Sequence, residues 1–161
     1  MTDTAPAPNA LTGDARIRAD NDHIDAFAFA TVACTTAPPL RDARVAIVTT
    51  AGLRPAGSEL WNAGDQSFTV LDGAERDLMV AHASANFDRS GVAADLDVVY
   101  PVDRLAELAA AGEIGSVAPR HLSFMGAQPD HTMATIRLDT GPAAAKLLLE
   151  DGVDVVLLTP V

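Results

Sequence analysis

The residues able to do chemistry in this chain are four histidines, one cysteine and a dense run of aspartates. His23, His82, His121 and His131 stand far apart, with no i, i+3 or i, i+4 pair and no HExxH, so no helical metal site is encoded. A metal centre would need assembly in space, for example from His82, Asp88 and His121. The simpler reading makes each histidine a hydrogen-bonding residue of a loop or sheet edge, and no metal is expected. Cys34, in VACTTAPP, has no histidine near it in sequence and no strand–turn–helix elbow. It reads as a small half-buried apolar residue rather than a nucleophile, and a lone cysteine excludes an intramolecular disulfide. The segment HASANFDRSGVAADLDVVYPVDRL is different. His82 closes a predicted strand, and Asp88, Asp95, Asp97 and Asp103 follow with only Arg89 and Arg104 to balance them. Local roles are available, since Asp97 can turn the chain, Asp103 suits a helix N-terminus and Arg104 can pair with a neighbour. Such polarity beside apolar strands still marks the segment as the best cleft. Ser123, two residues after His121 in RHLSFMG, is expected in a polar loop at a strand end.

The elements that must position these groups follow from pattern. ARVAIVTTAGL contains a buried strand, Arg44 to Thr49, turned by Gly52. A polar loop, RPAGSELWNAGDQ, leads to short strands at SFTVL and LMVAHA. YPVDRLAELAAAG is a helix with Pro101 at its first turn, Val102, Leu105 and Leu108 on one stripe and Gly112 as its stop. TGPAAAKLLLEDG is a second helix, opened by Pro142 and closed by Gly152. The last strand lies in DGVDVVLLTPV, from Asp154 to Thr159. Strands alternating with helices through short turns predict an α/β fold. The expected architecture is layered and Rossmann/flavodoxin-like, with a mainly parallel sheet and flanking helices, incomplete at its C-terminus. Residues 1–40 are expected as a mobile tail and extended arm, and 41–161 as the α/β domain. In a parallel sheet, ligands gather beyond the carboxyl ends of the strands. The sequence stops two residues past that point.

Composition narrows the function. The 161 residues are 48% apolar, enough for one globular core. A net charge of −11 repels phosphate backbones and anionic lipid, so neither nucleic acid nor membrane is an expected partner. No apolar run reaches the roughly 20 residues of a membrane span, and the first residues do not read as a secretory signal; the expected location is the cytoplasm. GLRPAG lacks GxGxxG spacing and a following helix, Walker A is absent, and no nucleotide cofactor is expected.

VAIVTTAGL, HASANFD, DVVYPVDRLAELAAAGEIGSVAPRHLSFMG and DGVDVVLLTPV, taken in order, resemble the glycine/betaine/sarcosine/D-proline reductase family of selenoprotein B type. The likeness is to its D-proline reductase-like branch and runs from about Arg44 to the C-terminus. It implies reductive cleavage of a C–N bond beside a carboxylate by a selenolate or thiolate. The substrate is an amino acid or betaine-like small molecule, and the electrons come from a dithiol. A pyruvoyl group on a partner subunit and an oligomeric assembly are further implications; this chain itself would carry no cofactor. The reactive selenocysteine or cysteine is expected just after Val161. Because UGA also reads as stop, the sequence is expected to be truncated there and inactive alone.

Residue by residue, the resemblance covers His82 and Asp88, then Asp103 and Arg104 of its DRL, and Arg120, His121, Ser123 and Gly126 of its RHxSFMG. His82 or His121 is the candidate for proton transfer. Arg104 or Arg120 is the candidate for the substrate carboxylate, with Asp88, Asp103 and Ser123 also placed around the substrate. The alternatives are a non-catalytic binding or assembly domain of the same fold, and a hydrolase with a His/Asp metal site.

Overall fold

The β-branched run of Arg44–Thr49 forms strand β1, the strand on which the rest of the fold is built in this computed structural model. The structure describes residues 35–129 and 132–161, and the expectations for the tail, most of the arm, Cys34, His23 and His131 lie outside them. Residues 36–161 form one compact unit.

After β1 come β2 (Leu53–Pro55), β3 (Phe68–Asp72), β4 (Leu78–Val80) and the short helix α1 (Ser90–Ala94). Helix α2 (Val102–Ala110), β5 (Ser116–Val117), β6 (Arg120–Phe124), α3 (Gly141–Glu150) and β7 (Val155–Thr159) complete the order. The fold is α/β with a mixed sheet. β7 pairs in parallel with β1 along residues 45–49, while β5 and β6 share the other edge of β1, also in parallel. β3 lies antiparallel on the far side of β6. β2 and β4 form a separate antiparallel pair, so β4 is not part of the main sheet.

Alternation along β1 feeds two cores. Val45 and Ile47 pack with Val102 and Leu105 of α2, Val99 and Tyr100. Ala46 packs with Leu122 of β6 and with Ala144 and Leu148 of α3. The α2 stripe is buried at Val102 and Leu105, whereas Leu108, expected on the same stripe, is 41% exposed, and Gly112 stops the helix at φ +75°.

Two expectations are corrected. Ser123 lies inside β6, paired with Thr49 and Thr69, and is fully buried; it is not in a strand-end loop. The second helix begins well before Pro142. A helical turn at Met133–Thr135 and a π-helical turn at Ile136–Thr140 run without a break into α3. Proline lacks an N–H and crowds the preceding turn, and a wider π turn accommodates both defects. Gly141 assists, since a Cβ there would stand 2.5 Å from the Ile136 carbonyl oxygen. Among the described residues no helix is long and apolar enough to cross a membrane.

Candidate functional site

Thr49 ends strand β1 and Thr50 follows it, and the two hold the chain at the end of β7 and just past it. The Thr50 hydroxyl accepts from the Val161 N–H at 2.9 Å and donates to the Val161 carbonyl at 3.3 Å. The Thr49 hydroxyl donates to the Thr159 carbonyl at 3.3 Å and accepts from the Ala51 N–H at 3.1 Å. The Thr159 hydroxyl in turn donates to the Val99 carbonyl at 2.8 Å. These threonines were not among the residues singled out in the sequence. Their signal was a hydroxyl pair closing an apolar strand just before a glycine. Replacing Thr50 with valine keeps the shape and deletes both contacts to Val161. Thr50→Val is expected to cost about 1 kcal/mol and to speed amide exchange at Val161 while the fold is retained. Unchanged Val161 exchange would show that the clasp holds nothing.

His82 reaches the same place from the β4 side. It follows β4 by two residues, and Gly52 lets it approach β1. Gly52 adopts φ +63°, and a Cβ there would meet the His82 Cα at 3.0 Å. The Gly52 carbonyl accepts from the Ala81 N–H at 2.9 Å and from the Trp61 indole at 3.1 Å, which fixes this approach. The His82 ring is buried, lies 4.8 Å from the Phe87 ring, and accepts at Nδ1 from the Ser84 N–H at 3.1 Å. The neutral ring therefore carries its proton on Nε2, which has no hydrogen-bond partner among the described residues. Burial, and secondarily the Arg89 guanidinium, hold the His82 pKa below its ordinary value. Arg89 donates to the His82 carbonyl at 2.6 Å.

Gly126, just past β6, completes the convergence. A Cβ there would lie 2.8 Å from the Thr50 carbonyl, 2.9 Å from His82 Nε2 and 3.0 Å from the Val161 carbonyl. The ends of β1, β6 and β7 and the free imidazole nitrogen thus meet at one point, where only hydrogen fits. Beside it opens a pocket of about 360 Å³, lined by Thr50, Phe124, Met125, Gly126, Gln128, Met133, Ile136 and Val161. It is an apolar basin with a few polar groups at its rim, at the carboxyl ends of parallel strands.

The other residues singled out in the sequence are not brought here. Asp88 is exposed and caps the Ser90 N–H at 2.8 Å, an interaction that holds its carboxyl below the usual range. Asp103 pairs with Arg76 at 2.8 Å. Arg104 pairs with Asp97 and with Glu107, each at 2.8 Å. Arg120 stands at the opposite end of β6 from Gly126 and grips Asp151 through two hydrogen bonds of 2.8 and 2.7 Å. That pairing raises the Arg120 pKa and lowers that of Asp151. Both arginines considered for a substrate carboxylate are therefore engaged by carboxylates of their own chain. Ser123 is buried, and its hydroxyl has no hydrogen-bond partner among the described residues. His121 is buried in the core edge-on to Tyr100, with ring centroids 5.4 Å apart, and accepts at Nδ1 from the Ile47 N–H at 3.0 Å. Among the described residues no group of three or more His, Cys, Asp or Glu is placed to hold a metal ion.

An α/β domain with an imidazole and three strand ends at one apolar basin defines a class of site rather than one protein. Comparison with known families narrows it. Residues 25–161 match the model for glycine/sarcosine/betaine reductase selenoprotein B (GRDB), and the chain belongs to that family. It is 39% identical over 123 residues, 74% of its own length, to D-proline reductase subunit gamma of Acetoanaerobium sticklandii. The chain spans about half the length of that curated relative, 49% of it. No solved structure matches.

Proposed function

We propose that this chain is part of an amino-acid reductase subunit that cleaves a C–N bond reductively, with a selenocysteine or cysteine following Val161 as its nucleophile. One observation carries the reading. The Val161 carbonyl and His82 Nε2 each stand about 3 Å from the point that a Gly126 side chain would occupy, so the next residue would emerge beside a buried N–H donor and the apolar basin. A donor held neutral by burial stabilises a selenolate or thiolate without needing a positive charge. His82 is thus the preferred residue for handling the proton. His121, buried in the core, serves the sheet.

In the reaction a bond forms from the selenium or sulfur to the substrate α-carbon as the C–N bond breaks, and the amine leaves with a proton. A dithiol then supplies two electrons and the α-carbon takes a proton, so the carbon–selenium or carbon–sulfur bond gives way to C–H, the selenolate or thiolate is restored and the dithiol ends as a disulfide. The relative is named as a subunit, which supports partner subunits for this chain as well. A pyruvoyl group on such a partner would supply the carbonyl chemistry that holds the substrate amine. The basin beside Thr50 and Val161, bordered by the exposed Met133 side chain, leaves room for a substrate so delivered. The finer Rossmann/flavodoxin-like reading fits the packing of α2 and α3 on residues of alternate parity in β1.

The test is to read the gene beyond codon 161 and to express the full reading frame with its partner genes. An in-frame UGA or cysteine codon, and dithiol-dependent release of an amine product from D-proline, glycine, sarcosine or betaine, is the expected result. A frame without either codon would discard the reductase reading and favour a binding or assembly role.

A further inference from the structure

The outer edge of β7 is built like the interior of a sheet. Its residues Val155–Thr159 carry no charge and no proline, and apolar side chains occupy both faces. Val156, Leu157 and Leu158 are 38%, 38% and 66% exposed. Natural edge strands are blunted by charge, proline, bulges or shortness, and a strand apolar on both faces belongs inside a parallel sheet. The opposite edge of the same sheet makes the contrast. There β3 carries a charge and a hydroxyl, Asp72 and Thr69, beside the buried Leu71 and the exposed Val70.

We infer that β7 is an interior strand of the complete protein, covered by a further strand from the continuation of this same polypeptide past Val161. The inference rests on the proposed function only in requiring that continuation. Two facts choose this occupant. The curated relative is about twice the length this chain spans, enough for several more elements. And Thr50 holds the chain where β7 ends, so a returning segment starts at the strand it would pair with. A crossover from there back to the β7 edge would repeat the parallel arrangement that β1 and β7 already share.

The experiment compares amide exchange in the 161-residue chain and in the full reading frame, with cysteine at any selenocysteine codon, both at concentrations where light scattering gives a monomer. The amides of β7 that do not face β1 are expected to exchange about a hundredfold more slowly in the longer chain. Equal exchange in both chains overturns the inference. So does protection that arises only on dimerisation of the 161-residue chain, which would make a second copy the occupant, or only on adding a partner subunit. A reading frame that closes at codon 161 overturns it outright. Turnover is read separately. An active long chain with an unprotected β7 sinks this inference alone, and a protected β7 without turnover sinks only the reductase reading.

Discussion

Gly126→Ala is expected to damage both the fold and the candidate site. The new carbon would sit 2.8 Å from one backbone oxygen and 3.0 Å from another, and 2.9 Å from a buried imidazole nitrogen. Carbonyl oxygens of paired strands cannot swing aside as a flexible side chain does. The His82 ring is also fixed, by the Ser84 N–H and by Phe87. Something must shift, and the weakest restraint is the clasp between Thr50 and Val161. We expect a loss of about 1–3 kcal/mol, from overpacking alone, since Gly126 has no positive φ to forfeit. The His82 ring resonances should move and the Val161 amide should lose protection. On the proposed function, the same change in the full-length protein should abolish turnover, because it would part the proposed nucleophile from the imidazole. An unaltered urea midpoint together with unmoved His82 resonances would refute the convergence at Gly126.

The second large effect is a loss of stability in mild acid that traces to His121. Burial, with a secondary contribution from Arg76, pushes its pKa down to about 4, against about 6.5 in an unfolded chain. The unfolded state therefore binds the proton first. Between pH 6.5 and pH 4 it carries more protons than the folded state, and stability falls as pH falls through that window. At about 1.4 kcal/mol per unit, the loss approaches 3 kcal/mol as an upper figure. His82, shifted the same way, adds to it. The carboxylates of Asp88 and Asp151 have lowered values, so their contributions persist through this window and disappear only in stronger acid. Urea unfolding at pH 7, 5.5 and 4.5 separates these terms. His121→Gln keeps an acceptor for the Ile47 N–H and removes the titration, so its stability should be lower at pH 7 and flatter towards pH 4.5. A variant with the same slope as the natural chain would move the acid sensitivity elsewhere.

Much of this domain could be read from residue pattern. β1, α2 and β7 are continuous in their apolar spacing and clear in their stops, and they stand where expected. β6 was hidden because one of its two covered faces carries His121 and Ser123, leaving Leu122 and Phe124 as the apolar residues of the other. A strand is recognised by apolar alternation, and here polar side chains occupy one buried face, one of them bonded to a neighbouring strand's backbone. The helix start was misplaced for a local reason: proline usually opens a helix, and only a π turn lets it sit inside one. His82 was found for a partly mistaken reason. Its strand is outside the main sheet, and the residue arrives at the strand ends through Gly52 instead. The arginines and aspartates drew attention by density, yet the contacts that consume them are short-range pairs, which composition alone does not distinguish from a binding site. Thr49 and Thr50 were passed over because hydroxyls at a strand end have many uses, and only the position of Val161 reveals theirs.

The pairing of β1 with β7 also sets an order of events. Arg44 donates its backbone N–H to Asp154, a contact spanning 110 residues, and on that edge Val45 through Thr49 find their partners in Val155 through Thr159. Closing a loop of that size costs about 4 kcal/mol of chain entropy before any contact forms. During synthesis the first strand of the domain must wait, one side open, for the last strand described here. Until then it has only its β5 and β6 edge. The domain should accordingly fold late and slowly for its size, and its nascent chain is the form most exposed to mispairing.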